Sequence, residues 1–208
     1  MTFDFKKEEK QFYNSGKKPV IVEIPEMNFL SIRGKGNPNG EYKKALELIY
    51  TIAYTLKMSY KSDYKIEGFF NYVVPPLEGL WCSEKEQENS KLEKEKLSWI
   101  SLIRLPDFIK KEDFEWAIKV ATDIKKKDFS KVEFFTYKEG ICVQCVHIGS
   151  YDDEPKTISS MEEYARKKGY IFNITEKTPH HEIYLSDPRK VDVSKMKTII
   201  RYPIKKLK

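Results

Sequence analysis

Short apolar runs bounded by turn residues, interrupted by three stretches of helical spacing, organise this chain. Val20-Ile21-Val22-Glu23-Ile24 and Asn28-Phe29-Leu30-Ser31-Ile32-Arg33 read as strand, ending at Gly34. Gly36-Asn37-Pro38-Asn39-Gly40 is turn chemistry, after which Tyr42, Ala45, Leu46, Ile49, Ile52, Ala53 and Leu56 recur at helical spacing. Gly68 to Trp81 reads as strand with Pro75-Pro76 as an edge or bend. Lys85 to Lys96 reads as a charged loop or hairpin tip, and Ser98 to Ile103 as a strand stopped at Pro106. Phe114, Ala117, Ile118, Ala121 and Ile124 predict a helix near 112–126, followed by a strand near 132–137. Ile141 to Ile148 reads as strand up to Gly149. A helix opens around Pro155, carries Ile158, Met161, Tyr164 and Ala165, and stops at Gly169. Strands near 180–185 and 197–202 complete the pattern.

Both halves thus read as strand, Gly-ended loop, helix, strand, strand. The expected fold class is α+β, built of tandem pseudo-symmetric βαββ modules over about 20–105 and 132–204, joined by the helix near 112–126. A ligand cleft is expected between the modules, because concave sites commonly form at such interfaces. Residues 1–18 are charged and without long periodicity, and read as a leader to a domain spanning 19–208.

The most telling run is His180-His181-Glu182-Ile183-Tyr184, between Thr178-Pro179 and Asp187-Pro188. Strand side chains alternate faces, so His180, Glu182 and Tyr184 point one way and His181, Ile183 and Leu185 the other. A carboxylate beside a tyrosine, in a chain with 13 Tyr and 12 Phe, points to an aromatic pocket holding an acid. Facing a lipophilic cation, Glu182 would neutralise its charge while flanking rings stack on it. The competing reading is a half-exposed strand Glu paired with one of many lysines. Trp81, Tyr184 and Tyr137 are the candidate ring residues by strand context; each also suits an ordinary core.

Composition narrows the rest. Hydrophobic residues make up 40% of the chain and aromatics 13%, which suits a packed globular protein. No apolar run approaches the ~20 residues of a membrane span, and the N-terminus lacks a signal core, which points to a cytoplasmic protein. The net charge of +6 comes from interspersed charges, a solvated surface more than a nucleic-acid footprint. His180, His181 and His147 lack compact metal-ligand spacing, and no metal or cofactor is implied. Cys142-Val143-Gln144-Cys145 lies on a strand, where residues three apart face opposite sides, unlike a redox C-x-x-C at a helix start. No P-loop, dinucleotide fingerprint or Gly-x-Ser-x-Gly elbow is present.

Pro75-Pro76-Leu77-Glu78-Gly79-Leu80-Trp81, Gly149-Ser150-Tyr151-Asp152-Asp153-Glu154-Pro155, the run from His180 to Arg189, and Thr198-Ile199-Ile200-Arg201 together resemble the GyrI-like small-molecule-binding family. The resemblance covers about residues 20–204. It implies the fold of the effector-binding domains of AraC-type and MerR-type multidrug regulators: two βαββ modules with the ligand between them. It also implies that Glu182 is the strand glutamate that meets cationic aromatic ligands. Such regulators carry a helix-turn-helix domain that the short leader here does not match, so direct DNA binding is not expected. Stand-alone relatives include cyclopropanoid cyclopropyl hydrolases, for which Glu182 would activate water and a tyrosine such as Tyr137 would donate to an oxyanion. The residues leave three readings open: binding of lipophilic, cationic aromatic molecules; hydrolysis of cyclopropanoid alkylators; and a protein partner such as DNA gyrase.

Overall fold

A computed structural model of the chain describes residues 2–14, 16–36, 41–83 and 97–207. The expected turn residues 37–40 and the whole charged stretch from Lys85 to Lys96 lie outside the described residues. The fold is α+β. In chain order it runs α1 (Phe5–Glu8), α2 (Lys10–Tyr13), β1 (Val20–Lys35), α3 (Glu41–Lys57), β2 (Leu77–Ser83) and β3 (Leu97–Arg104). It continues with α4 (Lys111–Lys125), β4 (Glu133–Ile148), α5 (Glu154–Lys167), β5 (Tyr170–Phe172), β6 (His180–Tyr184) and β7 (Lys197–Lys206).

Several boundaries differ from the sequence pattern for identifiable reasons. The two expected strands at 20–24 and 28–33 are one strand, β1, with Pro25 exposed within it. An exposed strand proline forfeits only a donor that need not pair. The strand expected from Gly68 begins only at Leu77, because Pro75-Pro76 supplies no backbone donors. The strands expected near 132–137 and 141–148 are one, β4, which passes through Gly140 at φ +77°.

The chain divides into two compact units. The first comprises residues 1–5, 27–75 and 83–137. Here β1 pairs antiparallel with β3, Phe29 opposite Arg104 through Lys35 opposite Ser98. Gly34 lies opposite Trp99, and a Cβ there would sit 2.1 Å from the indole, so the glycine makes room for the ring. The amphipathic helices α3 and α4 pack through Ile49, Ile52, Leu56, Ala117 and Ala121, all nearly inaccessible. Asp113 accepts from the Lys110 backbone N–H at 2.8 Å and from Tyr64 OH at 2.9 Å, capping α4 and tying the loop before it.

The second unit comprises residues 6–26, 76–82 and 138–208. β2 pairs with β6, β6 with β7, and β7 with β4 and β5, all antiparallel. α5 covers one face of these strands, burying Met161 and Ala165 against Val143, Cys145, Ile200, Tyr202 and Ile204. Pro155 stands in the first turn of α5, and Gly169 follows it at φ +81°. The N-terminal residues read as a leader fold here too: Tyr13 is 3% exposed, and the Val146 N–H donates to Gly16 O at 2.9 Å.

Candidate functional site

Alternation along β6 places the site. His180, Glu182 and Tyr184 share the α5-side face, together with Gly79 and Trp81 of β2 and Thr198, Ile200 and Tyr202 of β7, by strand register. Glu182 is 8% exposed. Its Oε1 stands 3.2 Å from His180 Nε2, an ion-pair distance whose angle does not make a hydrogen bond. Trp81 Nε1 donates to Tyr184 OH at 2.9 Å, bridging β2 and β6. Gly79 lies directly opposite Glu182, and a Cβ there would meet Trp81 Nε1 at 2.8 Å and Tyr184 OH at 3.0 Å. The missing side chain therefore lets indole and phenol close over the strand beside the acid. The His180 ring packs on Tyr202 with centroids 4.8 Å apart.

The segment before α5 completes the site. Gly149 adopts φ +129°, which only glycine takes readily, and its N–H donates to Met196 O at 3.0 Å. His147 Nε2 donates to Ser150 O at 2.8 Å, and Nδ1 meets Thr157 Oγ1 at 2.9 Å, fastening the turn to the helix. Tyr151 and Glu154 are thereby held over the strands. The Tyr151 ring stands edge-on to Tyr184 at 6.5 Å. Burial, Glu182 and Glu154 raise the Tyr151 hydroxyl above its ordinary value, against a hydrogen bond with Thr198. Glu154 is 8% exposed, and its Oε1 has no hydrogen-bond partner among the described residues. Burial and then the negative charge of Glu182 push the Glu154 carboxyl up to about 8. Glu154 and Glu182, carried by different elements, thus stand close enough that the charge of one raises the other.

The reverse face of the same strands carries a second, wholly buried set of charges. His181 Nδ1 lies 3.1 Å from Glu139 Oε2 and His181 Nε2 lies 2.9 Å from Glu78 Oε2, the latter contact bent off the hydrogen-bond line. Arg201 donates to Glu139 at 3.0 Å, to Gln144 Oε1 at 2.9 Å and to Phe12 O at 2.9 Å. Tyr13 OH donates to Glu78 Oε1 at 2.9 Å, and Gln144 Nε2 to Gln11 O at 2.7 Å. Two carboxylates are balanced by an arginine and an imidazolium. Burial opposes ionisation of both Glu139 and His181; the opposite charges outweigh it, holding Glu139 down at about 2 and His181 up at about 9.

Of the residues expected from sequence, Glu182, Trp81 and Tyr184 come together. Tyr137 lies in the first unit, where its ring stacks on Phe135 at 5.7 Å and 16°. Gly79, Tyr151 and Glu154 join the site without having been singled out, although each stands in a run that carried the family resemblance. Cys142 and Cys145 are buried free thiols, raised by burial and, for Cys142, also by Glu139. Among the described residues no group of three or more His, Cys, Asp or Glu is arranged to hold a metal ion. No helix among them is long and apolar enough to cross a membrane.

Comparison with known proteins bears on the fold and the family. A search of curated proteins gave no match. A hydrolase from Listeria innocua is 42% identical, covering 98% of this chain and 100% of its own, with a TM-score of 0.90. An uncharacterized conserved protein from Listeria innocua is 44% identical, with coverage of 98% and 100% and a TM-score of 0.92. The EcmrR C-terminal domain, 15% identical over 91% of this chain and 98% of its own, shares the fold at a TM-score of 0.54. The GyrI-like small molecule binding domain matches residues 17–205, and the chain therefore belongs to the GyrI-like family.

Proposed function

We propose that the Glu182 face binds flat, lipophilic, cationic small molecules and so sequesters them. The observation that carries this reading is a nearly buried carboxylate, Glu182, whose neighbours among the described residues are Trp81, Tyr184, His180 and Tyr151. An acid paired, among the described residues, only with an imidazole in low-dielectric surroundings favours a ligand that brings its own positive charge. Among the described residues Glu182 forms its ion pair with His180 and is nearly buried, unlike a lysine-paired surface glutamate.

A second reading, hydrolysis of cyclopropanoid alkylators, is favoured by the Listeria innocua hydrolase, whose likeness extends over the whole chain. Water would add to the strained cyclopropane carbon, and the breaking C–C bond would pass its electron pair to the conjugated carbonyl. Glu182 would take the proton of the water, and a tyrosine hydroxyl would donate to the developing oxyanion. Tyr137 is the sequence candidate for that donor; Tyr151 and Tyr184 are two hydroxyls of the unit that holds Glu182.

The test is a fluorescence titration with rhodamine 6G, using wild type and Glu182→Gln. Saturable binding that weakens roughly tenfold or more in the variant is expected for loss of a desolvated charge partner. Equal binding by both proteins would remove Glu182 from the centre of the site. Turnover of a cyclopropanoid by wild type and not by Glu182→Gln would establish the second reading.

A further inference from the structure

The binding reading leaves one feature unused: Glu154, nearly inaccessible, with an oxygen that bonds to nothing among the described residues and with Glu182 as its electrostatic neighbour. Wild-type chains do not usually keep a carboxyl oxygen buried and unsatisfied without use. The turn that delivers it is built for the purpose of placement, with Gly149 in a glycine-only conformation and His147 bonded to both Ser150 and Thr157.

Resting on the cation-binding reading, we propose that Glu154 is a proton-exchange group: the empty site holds its charge low by keeping the Glu154 proton, and an incoming cation displaces that proton to solvent. The exchange is balanced, one proton leaving for each positive charge entering. Two carboxylates together would repel each other in this setting, so the second negative charge becomes affordable only with a cation present. Glu154 thus makes the site select for ligand charge as well as ligand shape. A neutral molecule with the same rings meets a protonated acid and displaces nothing.

Among the described residues, the ionisable groups on Glu154's own segment and the strands beneath it include Glu182 and His180 of β6, His147 of β4, Tyr151 before the helix, and Asp153, which is itself held low by Lys156. His180 pairs with Glu182, so its contribution is separated from that of Glu154 by its own variant. The arrangement sets the sign: affinity for a cation rises with pH while Glu154 still holds its proton, by up to about tenfold per pH unit, and levels off above about pH 8.

The experiment is rhodamine 6G binding from pH 6 to 9, by fluorescence polarisation and by calorimetry in two buffers of different ionisation enthalpy. Wild type, Glu154→Gln, Glu182→Gln and His180→Asn are compared. Wild type should release a proton on binding and show the rising affinity. Glu154→Gln should bind with affinity nearly independent of pH and release none, while His180→Asn should keep most of the slope. Proton release that persists in Glu154→Gln, or affinity in wild type that ignores pH, overturns the proposal while leaving the cation reading intact. Failure of folded wild type to bind rhodamine 6G removes the cation reading and the exchange with it. An infrared difference spectrum between wild type and Glu154→Gln at pH 7 tests the proton without any ligand. The carbonyl band of a protonated carboxyl should disappear in the variant, and its absence from wild type refutes the assignment.

Discussion

Replacing Arg201 with methionine is the sharpest test of how the strands beneath the site are held. Arg201 is 3% exposed and satisfies three acceptors at once: Glu139, Gln144 and the Phe12 carbonyl. Methionine fills much of the volume but leaves Glu139 with His181 as its cationic partner among the described residues and strands two neutral acceptors. Removing one partner of a buried charge pair typically costs about 3–5 kcal/mol, because the remaining charge keeps its desolvation penalty. For a chain of this length the expected fall in Tm is roughly 6–20 °C. The pH of the assay matters. Stability from Glu139 is present above 4.5 and lost as pH falls toward 2; stability from His181 is present below 6.5 and lost as pH rises through about 9. Between pH 4.5 and 6.5 both contributions are in place, so urea unfolding followed by tryptophan fluorescence at pH 6 reads the full effect. Neutralising the orphan should help: Arg201→Met with Glu139→Gln should cost less than the two single losses together, by about 0.5–3 kcal/mol. A loss below about 1 kcal/mol for Arg201→Met, or strict additivity in the double variant, would refute the account.

Two further outcomes follow from the site itself. Gly79→Ala should break the Trp81–Tyr184 hydrogen bond, since its Cβ would sit 2.8 Å from the indole nitrogen. It should cost about 1–3 kcal/mol in unfolding experiments and weaken rhodamine 6G binding; unchanged binding would mean the indole and phenol do not touch the ligand. Because Glu154 is raised from 4.5 to about 8, the stability it lends is fully present below 4.5 and is lost as pH rises through 8. Glu154→Gln should therefore gain on wild type by a few kcal/mol between pH 5 and 9, and parallel denaturation curves across that range would contradict the raised acid.

The strand face bearing Glu182 was legible in the sequence because two prolines bracket a run of period two. Nothing longer-ranged than alternation was needed to put His180, Glu182 and Tyr184 together. The buried charge set was not legible in the same way. His181 was correctly turned away from Glu182, but its partners arrive from residues 78 and 139 through pairings that a single chain does not announce. Gly79 and Glu154 were hidden for a related reason. A glycine in a strand reads as weakness until the ring that needs the space is known, and a glutamate in the first helical turn reads as an ordinary dipole partner. The continuous β1 was missed because Pro25 and the charged residues around it hide a strand that is exposed at that point.

The two-sided use of β6 has a consequence for how this protein can change. A slip of one residue would carry His181 onto the Glu182 face and drive Glu182 into the closed charge set, exchanging its imidazolium for a third carboxylate beside Glu78 and Glu139. The reverse face therefore works as a ratchet pawl for the chemistry on the front. Substitutions at 180, 182 or 184 can retune what is bound while the frame stays locked, so ligand range should drift far more readily than the positions from which ligands are gripped.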